Sequence, residues 1–412
     1  METNVIYCGD NAEVMRKYLP DNSIDLIYAD PPFFSDKMYE VIWGDGYELR
    51  AFEDRWKGGI NNYIAWMKPR MIECQRVLKE TGSFYLHCDW HAKAYLEVML
   101  DSVFGRENFR REIIWVMGRR VDNSPYYPKS HETLLFYSKS DELVFHHPYR
   151  SYSKKFMKML KKDKKGYYYT RGQRTGRRKL AEWEKTSKVG LRTYVDLNKG
   201  QKVNDVWDDV GGYPRGKEKL GYPTQKPEKL LKRVIEASSD VMSIVLDPFC
   251  GCGTAIAVAH KLGRRWVGID VSPTACRLMA KRMRLLGYPN PQIIGLPRTT
   301  EELRVLEPFE FQNWVFEKLH GRVNPRKIGD MGIDGWIELD VPTQVKQSDN
   351  VGRNVVDNFE TAIRRYGKKR GIIVAFSFTR GAYEEVARVK LLDEMRRLDI
   401  KLKTVKEILQ ET

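Results

Sequence analysis

The chain has 412 residues, 42% hydrophobic and 31% charged, with a formal net charge of +16. That length exceeds one ordinary core, so two units are expected, and a balanced composition without low-complexity tracts or fixed repeats excludes disorder and solenoids. No window approaches the ~18 apolar residues of a membrane span, and METNVIYCGD lacks a basic region followed by an apolar run, so a cytoplasmic protein that does not enter membranes is expected.

From Val5 an apolar strand (VIYC), a polar helical stretch (NAEVMRKYLP) and a second apolar strand (IDLIYA) give the β-α-β rhythm of a parallel sheet. It continues through a helix from Tyr63 to Lys79, a strand at 82–88, a helix ahead of Phe104 and strands near 112–117 and 133–137. Residues 145–220 interrupt it: they are basic, rich in tyrosine and glycine, and aperiodic, which predicts an insertion. A helix at 227–239, the strand SIVLDPF, a helix after Thr254 and the strand RRWVGIDVS resume the pattern, and the loop-like YPNPQIIGLPRT at 288–299 marks a boundary. Beyond it come a helix (FEFQNWVFEKL), a hairpin (IDGWIEL-DVP-TQVKQ), a helix at 355–366 and the strand GIIVAFS. The expectation is a three-layer α/β domain over 1–298, with its insertion at 145–220, and a smaller α/β unit over 299–412. Cys8, Cys74, Cys88, Cys250, Cys252 and Cys276 show no C-x-x-C pairing, so reduced, mostly buried thiols are expected.

Asp247-Pro-Phe-Cys-Gly-Cys-Gly-Thr254 lies between a strand and a helix, where Gly251 and Gly253 allow a sharp turn and close approach to a ligand. The next strand ends in Gly268-Ile-Asp270, which places a carboxylate where the two ribose hydroxyls of a nucleoside would reach it. Asp247 would repel a pyrophosphate but attract ammonium and sulfonium groups, so S-adenosylmethionine suits the loop better than a dinucleotide.

Asp30-Pro31-Pro32-Phe33 also follows a predicted strand, at the carboxyl edge where α/β proteins bind ligands. The exocyclic amino group of adenine or cytosine is a poor nucleophile because its lone pair is delocalised into the ring. The Asp30 carboxylate and Pro31 carbonyl can accept its two hydrogens and localise that pair, the double proline fixes the backbone, and Phe33 can stack on an extruded base.

Between Arg150 and Lys202 stand 18 lysines and arginines against four acidic residues. Their interleaving with Tyr149, Tyr152, Tyr167, Tyr168, Tyr169 and Trp183 suits phosphate neutralisation together with base contacts; RNA would be served by the same residues.

With DPPF at 30–33 and FCGCG at 249–253, the chain resembles the amino-methylating DNA methyltransferases over roughly residues 4–285. The catalytic motif precedes the donor motif with the basic segment between them, the order of the circularly permuted beta class; YCGDN, HCDWH, HETLLFY and PTQKP also match. The resemblance implies a Rossmann-like methyltransferase fold, double-stranded DNA as partner, and a target-recognition role for 145–220. It also implies Asp10 near the cofactor adenine, Thr224, Gln225 and Lys226 beside the methionine end, and Phe249 and Thr254 in the cofactor site. Asp at the head of the tetrapeptide favours adenine-N6 over cytosine-N4, and a homodimer is left open.

In the second unit the hairpin places Asp334 beside Gln344, with Lys346 on the face of Gln344. With Glu310 these residues resemble the metal centre of Mrr-like restriction endonucleases over about 305–410, which implies a candidate Mg2+ site; a methyltransferase with an accessory nuclease-like domain, retained for DNA binding or packing, needs the fewest assumptions, and a fused methyltransferase-endonuclease is the alternative.

Overall fold

The computed structural model describes residues 1–34, 37–42, 48–54, 59–118, 126–170, 192–214, 216–218, 225–324, 332–338, 340–392 and 397–411. In chain order, β1 (Val5–Cys8), β2 (Ile24–Ala29), the hairpin β3 (Lys37–Ile42) and β4 (Glu48–Asp54), β5 (Leu78–Cys88), β6 (Phe109–Val116) and β7 (His131–Ser138) precede the basic segment. That segment contributes β8 (Tyr149–Arg150), β9 (Lys161–Asp163), β10 (Gly166–Thr170), β11 (Arg192–Val195), β12 (Gln201–Lys202) and β13 (Val206–Trp207). Then follow β14 (Ile244–Asp247), β15 (Arg265–Asp270) and β16 (Gln292–Ile294).

Nine of these strands form one sheet in the order β13-β6-β7-β5-β2-β14-β15-β1-β16. Only the pairs made by β7 are antiparallel. Strand alternation divides the apolar residues between two layers. Ile27 and Ala29 of β2 pack with Tyr63, Met67 and Met71 of the Gly59–Val77 helix, whereas Leu26 and Tyr28 pack with Leu230 and Val234 of the Glu228–Ala237 helix. β2 and β14 are neighbours although more than 200 residues separate them, and from this pair the chain builds outward in both directions. Such a point leaves a crevice at the carboxyl ends of the strands, and DPPF and the glycine loop both emerge there.

Two expected loops contain strands of the main sheet. Val206–Trp207, inside the predicted insertion, pairs with β6 and buries Trp207; Gln292–Ile294, inside the predicted boundary loop, pairs with β1. Strands of two or three residues are too short to show a period. The rest of the described insertion holds a three-stranded β11-β10-β9 sheet and the β12-β8 pair, with the short helices Lys154–Met157 and Gly216–Glu218, and its strands have so many half-buried or exposed residues that no alternation registers in the sequence. Trp183 lies outside the described residues.

The second unit is a five-stranded sheet in chain order, β17 (Arg322–Val323), β18 (Gly335–Ile337), β19 (Val341–Val345), β20 (Arg370–Ala375) and β21 (Asp399–Thr404). Its first two pairings are antiparallel and its last two parallel. Phe359, Ile363 and Ile373 centre one of its cores, and Phe311, Trp314 and Val374 the other. All six cysteines are buried free thiols, and among the described residues no helix is long and apolar enough to cross a membrane.

Candidate active site

β14 delivers Asp247 to the sheet edge, and the chain turns through Gly251 (φ 52°) and Gly253 (φ 75°) into the Thr254–Lys261 helix. A side chain at Gly253 is excluded twice: the backbone is left-handed, and a Cβ there would stand 2.9 Å from Met279 Cγ. Beside it β15 delivers Asp270, whose carboxylate accepts hydrogen bonds from the Gly251 N–H (2.7 Å) and the Ser272 N–H (2.9 Å).

These residues line a cavity of about 300 Å³ that extends to the end of β2. Asp10, Asp30, Pro31, Pro32, Phe33, Gln225, Lys226, Asp247, Phe249, Gly251, Thr254 and Asp270 all border it. Gly253 holds the turn behind it, and Thr224 lies outside the described residues. The two motifs, far apart in the chain, thus open onto one cavity of a size suited to a small molecule.

Asp30 forms an ion pair with the buried Lys226, whose Nζ lies 2.9 and 2.8 Å from the two carboxylate oxygens and 4.7 Å from the Phe33 ring centroid. The resemblance assigned Lys226 to the methionine end of the cofactor; here its ammonium is directed to Asp30. Tyr63 donates to the Pro32 carbonyl at 2.7 Å, which ties the proline turn to the Gly59–Val77 helix. Behind Asp30, the Tyr28 hydroxyl and Nδ1 of the buried His87 are 2.7 Å apart, and His87 Nε2 is 3.0 Å from Glu132. Burial and the charges of Asp30, Asp247 and Glu132 push the Tyr28 hydroxyl well above its ordinary pKa, so it keeps its proton. Burial alone would raise Glu132, but the His87 hydrogen bond and the Lys226 charge outweigh it and hold this carboxylate well below its usual range.

Burial drives Asp247 well above the ordinary carboxylate range; the Phe249 N–H opposes this, and the charges of Asp30 and Asp270 add to it. An acid buried among acids suits a cationic ligand. The Asn11 amide donates to the Pro248 carbonyl at 2.8 Å, while its Oδ1, buried at the cavity wall, has no hydrogen-bond partner among the described residues. That orphaned acceptor is an independent sign that a donor-bearing ligand completes the site. Trp66 and Phe249, ring centroids 6.0 Å apart, supply an apolar wall, and Arg70 stacks 3.9 Å from the Trp66 centroid while pairing with Asp10.

The sequence reading did not single out Asn11, Trp66, Arg70, His87 or Glu132. Asn11, His87 and Glu132 lie within YCGDN, HCDWH and HETLLFY, so a signal existed without a role; Trp66 and Arg70 reach the cavity from mid-helix and carried none.

In the basic segment Lys162, Arg192 and Lys199 lie 5.2, 4.7 and 5.0 Å from the ring centroids of Tyr167, Tyr168 and Tyr149. In the second unit Asp334 accepts a 2.7 Å hydrogen bond from the Val345 N–H, next to Gln344, as the hairpin predicts. Gln344 is buried, and its Oε1 lacks a hydrogen-bond partner among the described residues. Glu310 does not join them: its two oxygens accept hydroxyl hydrogens from Ser272 and Thr274 of the first unit.

A permuted doubly wound sheet, with a nucleoside-sized cavity and a D-P-P-F turn on one rim, defines a group-transfer enzyme of the Rossmann-like methyltransferase type. The sequence pattern described as DNA methylase matches residues 24–282, and that described as restriction endonuclease matches 303–400. The chain is 30% identical over 300 residues to the type II methyltransferase M.HinfI of Haemophilus influenzae, covering 71% of each chain. It is also 30% identical over 299 residues to the DNA adenine methyltransferase YhdJ of Escherichia coli, covering 70% of this chain and 85% of that one. Among solved structures, PvuII DNA methyltransferase (cytosine-N4-specific) aligns over 67% of this chain and 85% of its own at 16% identity, with a TM-score of 0.43. The M1.HpyAVI complex with S-adenosylmethionine aligns over 68% and 98% at 18% identity, with a TM-score of 0.41. The chain belongs to the DNA methylase family that modifies adenine N6 or cytosine N4 with S-adenosylmethionine, and it carries a C-terminal restriction-endonuclease-like domain.

Proposed function

We propose that the chain methylates N6 of adenine in double-stranded DNA, by direct transfer to a base rotated out of the helix. The observation that carries this reading is the shared cavity: Asp30, held by Lys226, borders the same cavity as Asp247 and Asp270. A carboxylate offers about four acceptor positions, so the contact with Lys226 leaves Asp30 able to accept an amino hydrogen as well. Asp30 and the Pro31 carbonyl accept hydrogen bonds from the two amino hydrogens, one of which leaves as a proton once the methyl is attached, Phe33 stacks on the base, and the Lys226 ammonium keeps the Asp30 carboxylate in register. S-adenosylmethionine supplies an electrophilic methyl carbon when bound. Asp247 holds its cationic end, Asp270 its ribose, Asn11 accepts from one of its donors, and Trp66 and Phe249 exclude water.

Residues 145–220 are the DNA-reading surface, where cation-aromatic pairs serve phosphates and base edges together. The domain boundary falls near 298, between the spans matched by the two family patterns. Adenine is favoured because Asp heads the tetrapeptide and because YhdJ, 30% identical, is named an adenine methyltransferase. Expression in a methylation-deficient bacterial host, followed by single-molecule sequencing of its genome, tests the base. Modified adenine at one recurring short sequence is expected; N4-modified cytosine there would reverse the base, and an unmodified genome would contradict the activity.

A second reading concerns the other unit, and the orphaned Gln344 Oε1 beside Asp334 favours it. We propose that Asp334 and Gln344 hold Mg2+, which supplies a Lewis acid at a phosphodiester, with Lys346 orienting the attacking water. Glu310 is not part of this centre. Mg2+-dependent cleavage of unmethylated DNA, lost in Lys346→Ala, is the expected result; no cleavage with any divalent metal would overturn it.

A further inference from the structure

The Pro308–Lys318 helix touches both units. Phe311, Trp314 and Val315 lie in a core of the restriction-endonuclease-like domain. Glu310, Asn313 and Glu317, spaced i, i+3, i+7 and therefore on one side of the helix, contact the methyltransferase domain. Thr274 Oγ1 donates to Glu310 Oε2 at 2.8 Å, Asn313 Nδ2 lies 3.3 Å from Thr274 Oγ1, and Glu317 pairs with Arg277 at 2.8 Å. The Ser272 hydroxyl donates to Glu310 Oε1.

Ser272 is more than a docking point. Its N–H holds Asp270 Oδ1 at 2.9 Å, its hydroxyl caps the Pro273–Leu285 helix by accepting from the Ala275 N–H at 3.0 Å, and it borders the cofactor cavity. Both Ser272 and Glu310 are buried. A carboxylate out of water is costly unless hydrogen bonds replace its hydration, and here the replacement comes from the hydroxyls of Ser272, in the turn just after Asp270, and Thr274, in the first turn of the helix that follows. The turn that follows Asp270 is thus clamped at Ser272 from two directions: by the helix it caps, and by a side chain from the other domain.

We propose that the restriction-endonuclease-like domain is part of the S-adenosylmethionine site, with Glu310 as the positioning residue that fixes Ser272 and through it Asp270. This rests on the reading that Asp270 takes the cofactor ribose. Glu310 touches neither ligand nor reacting atoms, so it acts on cofactor affinity and not on the chemical step. By linkage, whatever the clamp does for cofactor binding, cofactor binding does for the clamp.

The test is equilibrium binding of S-adenosylmethionine and S-adenosylhomocysteine to the full chain by calorimetry, with steady-state kinetics alongside. Glu310→Ala should weaken both ligands about fivefold or more and raise the cofactor KM in step, with kcat within about twofold. Glu310→Gln keeps an acceptor for Ser272 and should restore most of the affinity. Thr274→Val, which removes one of the two hydroxyls and leaves Ser272 intact, gives a milder version of the loss if Glu310→Ala does not fold. Hydrogen exchange across 308–318 should slow when cofactor is added. Unchanged affinity in folded Glu310→Ala, or in Thr274→Val if that is the variant available, would overturn the clamp. Asp270→Asn separates the two layers: if it binds cofactor normally, the reading of Asp270 is wrong; if it binds poorly while Glu310→Ala binds normally, only the clamp is wrong.

Discussion

Asp30→Asn is expected to bind S-adenosylmethionine and DNA like the unsubstituted enzyme and to lose methyl transfer by a hundredfold or more, on the order of the loss when one preorganised polar contact to a developing charge is removed. The reason lies in timing. The amino group is nearly neutral in the bound base and becomes cationic as the new bond to carbon forms, so a full carboxylate at 30 gains most of its interaction in the transition state. Asparagine is the informative replacement. Both substitutions remove the charge opposite the buried Lys226, but Asp30→Ala also leaves its ammonium with no acceptor at this position, and breaking a buried ion pair from one side costs about 3–5 kcal/mol, so a poor yield of that variant would confuse chemistry with folding. Asparagine keeps the shape and one oxygen acceptor. Single-turnover transfer at saturating cofactor and DNA, with both dissociation constants measured separately, reads the difference; near-normal transfer would remove Asp30 from the chemistry.

The second large effect is on the cofactor and follows from Asp247. In the ligand-free protein, burial and the neighbouring Asp30 and Asp270 charges raise its pKa well above the ordinary carboxylate value. The sign is then fixed. A cationic ligand favours the carboxylate, so binding expels the proton wherever the ligand-free acid still carries it, and affinity climbs with pH through that range and levels off above it. The same raised pKa means that the ligand-free fold loses stability as pH rises from the unfolded value of Asp247 to its folded one, and that added cofactor returns the loss. Calorimetric titration in two buffers of different ionisation enthalpy counts the released protons. Asp247→Asn should abolish this pH dependence and weaken binding roughly tenfold or more, the scale of one lost charged hydrogen bond. Affinity that falls as pH rises would contradict the assignment.

Much of the site was legible because its chemistry is local. DPPF and DPFCGCG each follow a short apolar run, and the carboxyl end of a strand is where an open α/β sheet binds ligands, so strand periodicity alone placed Asp30, Asp247 and Asp270 on one edge. What stayed hidden depends on distance. Trp66 and Arg70 belong to a long helix whose sequence gives no reason to prefer one exposed turn over another, and only packing brings that turn to the cavity. Val206–Trp207 and Gln292–Ile294 are too short for a pattern and became strands because an existing sheet edge offered them hydrogen bonds.

Glu310 and Lys226 illustrate a different limit. Glu310 was placed in a site with the right neighbours in sequence and the wrong neighbour in space, whereas Lys226 borders the expected cavity and adds an ion pair with Asp30 that its motif does not reveal. Helical spacing says which residues share a side with Glu310, but not which of the two adjoining domains that side meets; it meets the turn and first helical residues after Asp270. The motif containing Lys226 predicted the cavity, and within it the ammonium pairs with the Asp30 carboxylate.

The most direct test of the central claim, methyl transfer to an exocyclic amino group of DNA, is a reaction of the purified chain with tritiated S-adenosylmethionine and unmethylated genomic DNA, digested to nucleosides and separated by chromatography. Label confined to N6-methyladenine is the predicted result. Label in N4-methylcytosine would keep the mechanism and change the base, whereas label in 5-methylcytosine, label only when RNA replaces the DNA, or no transfer would contradict the account.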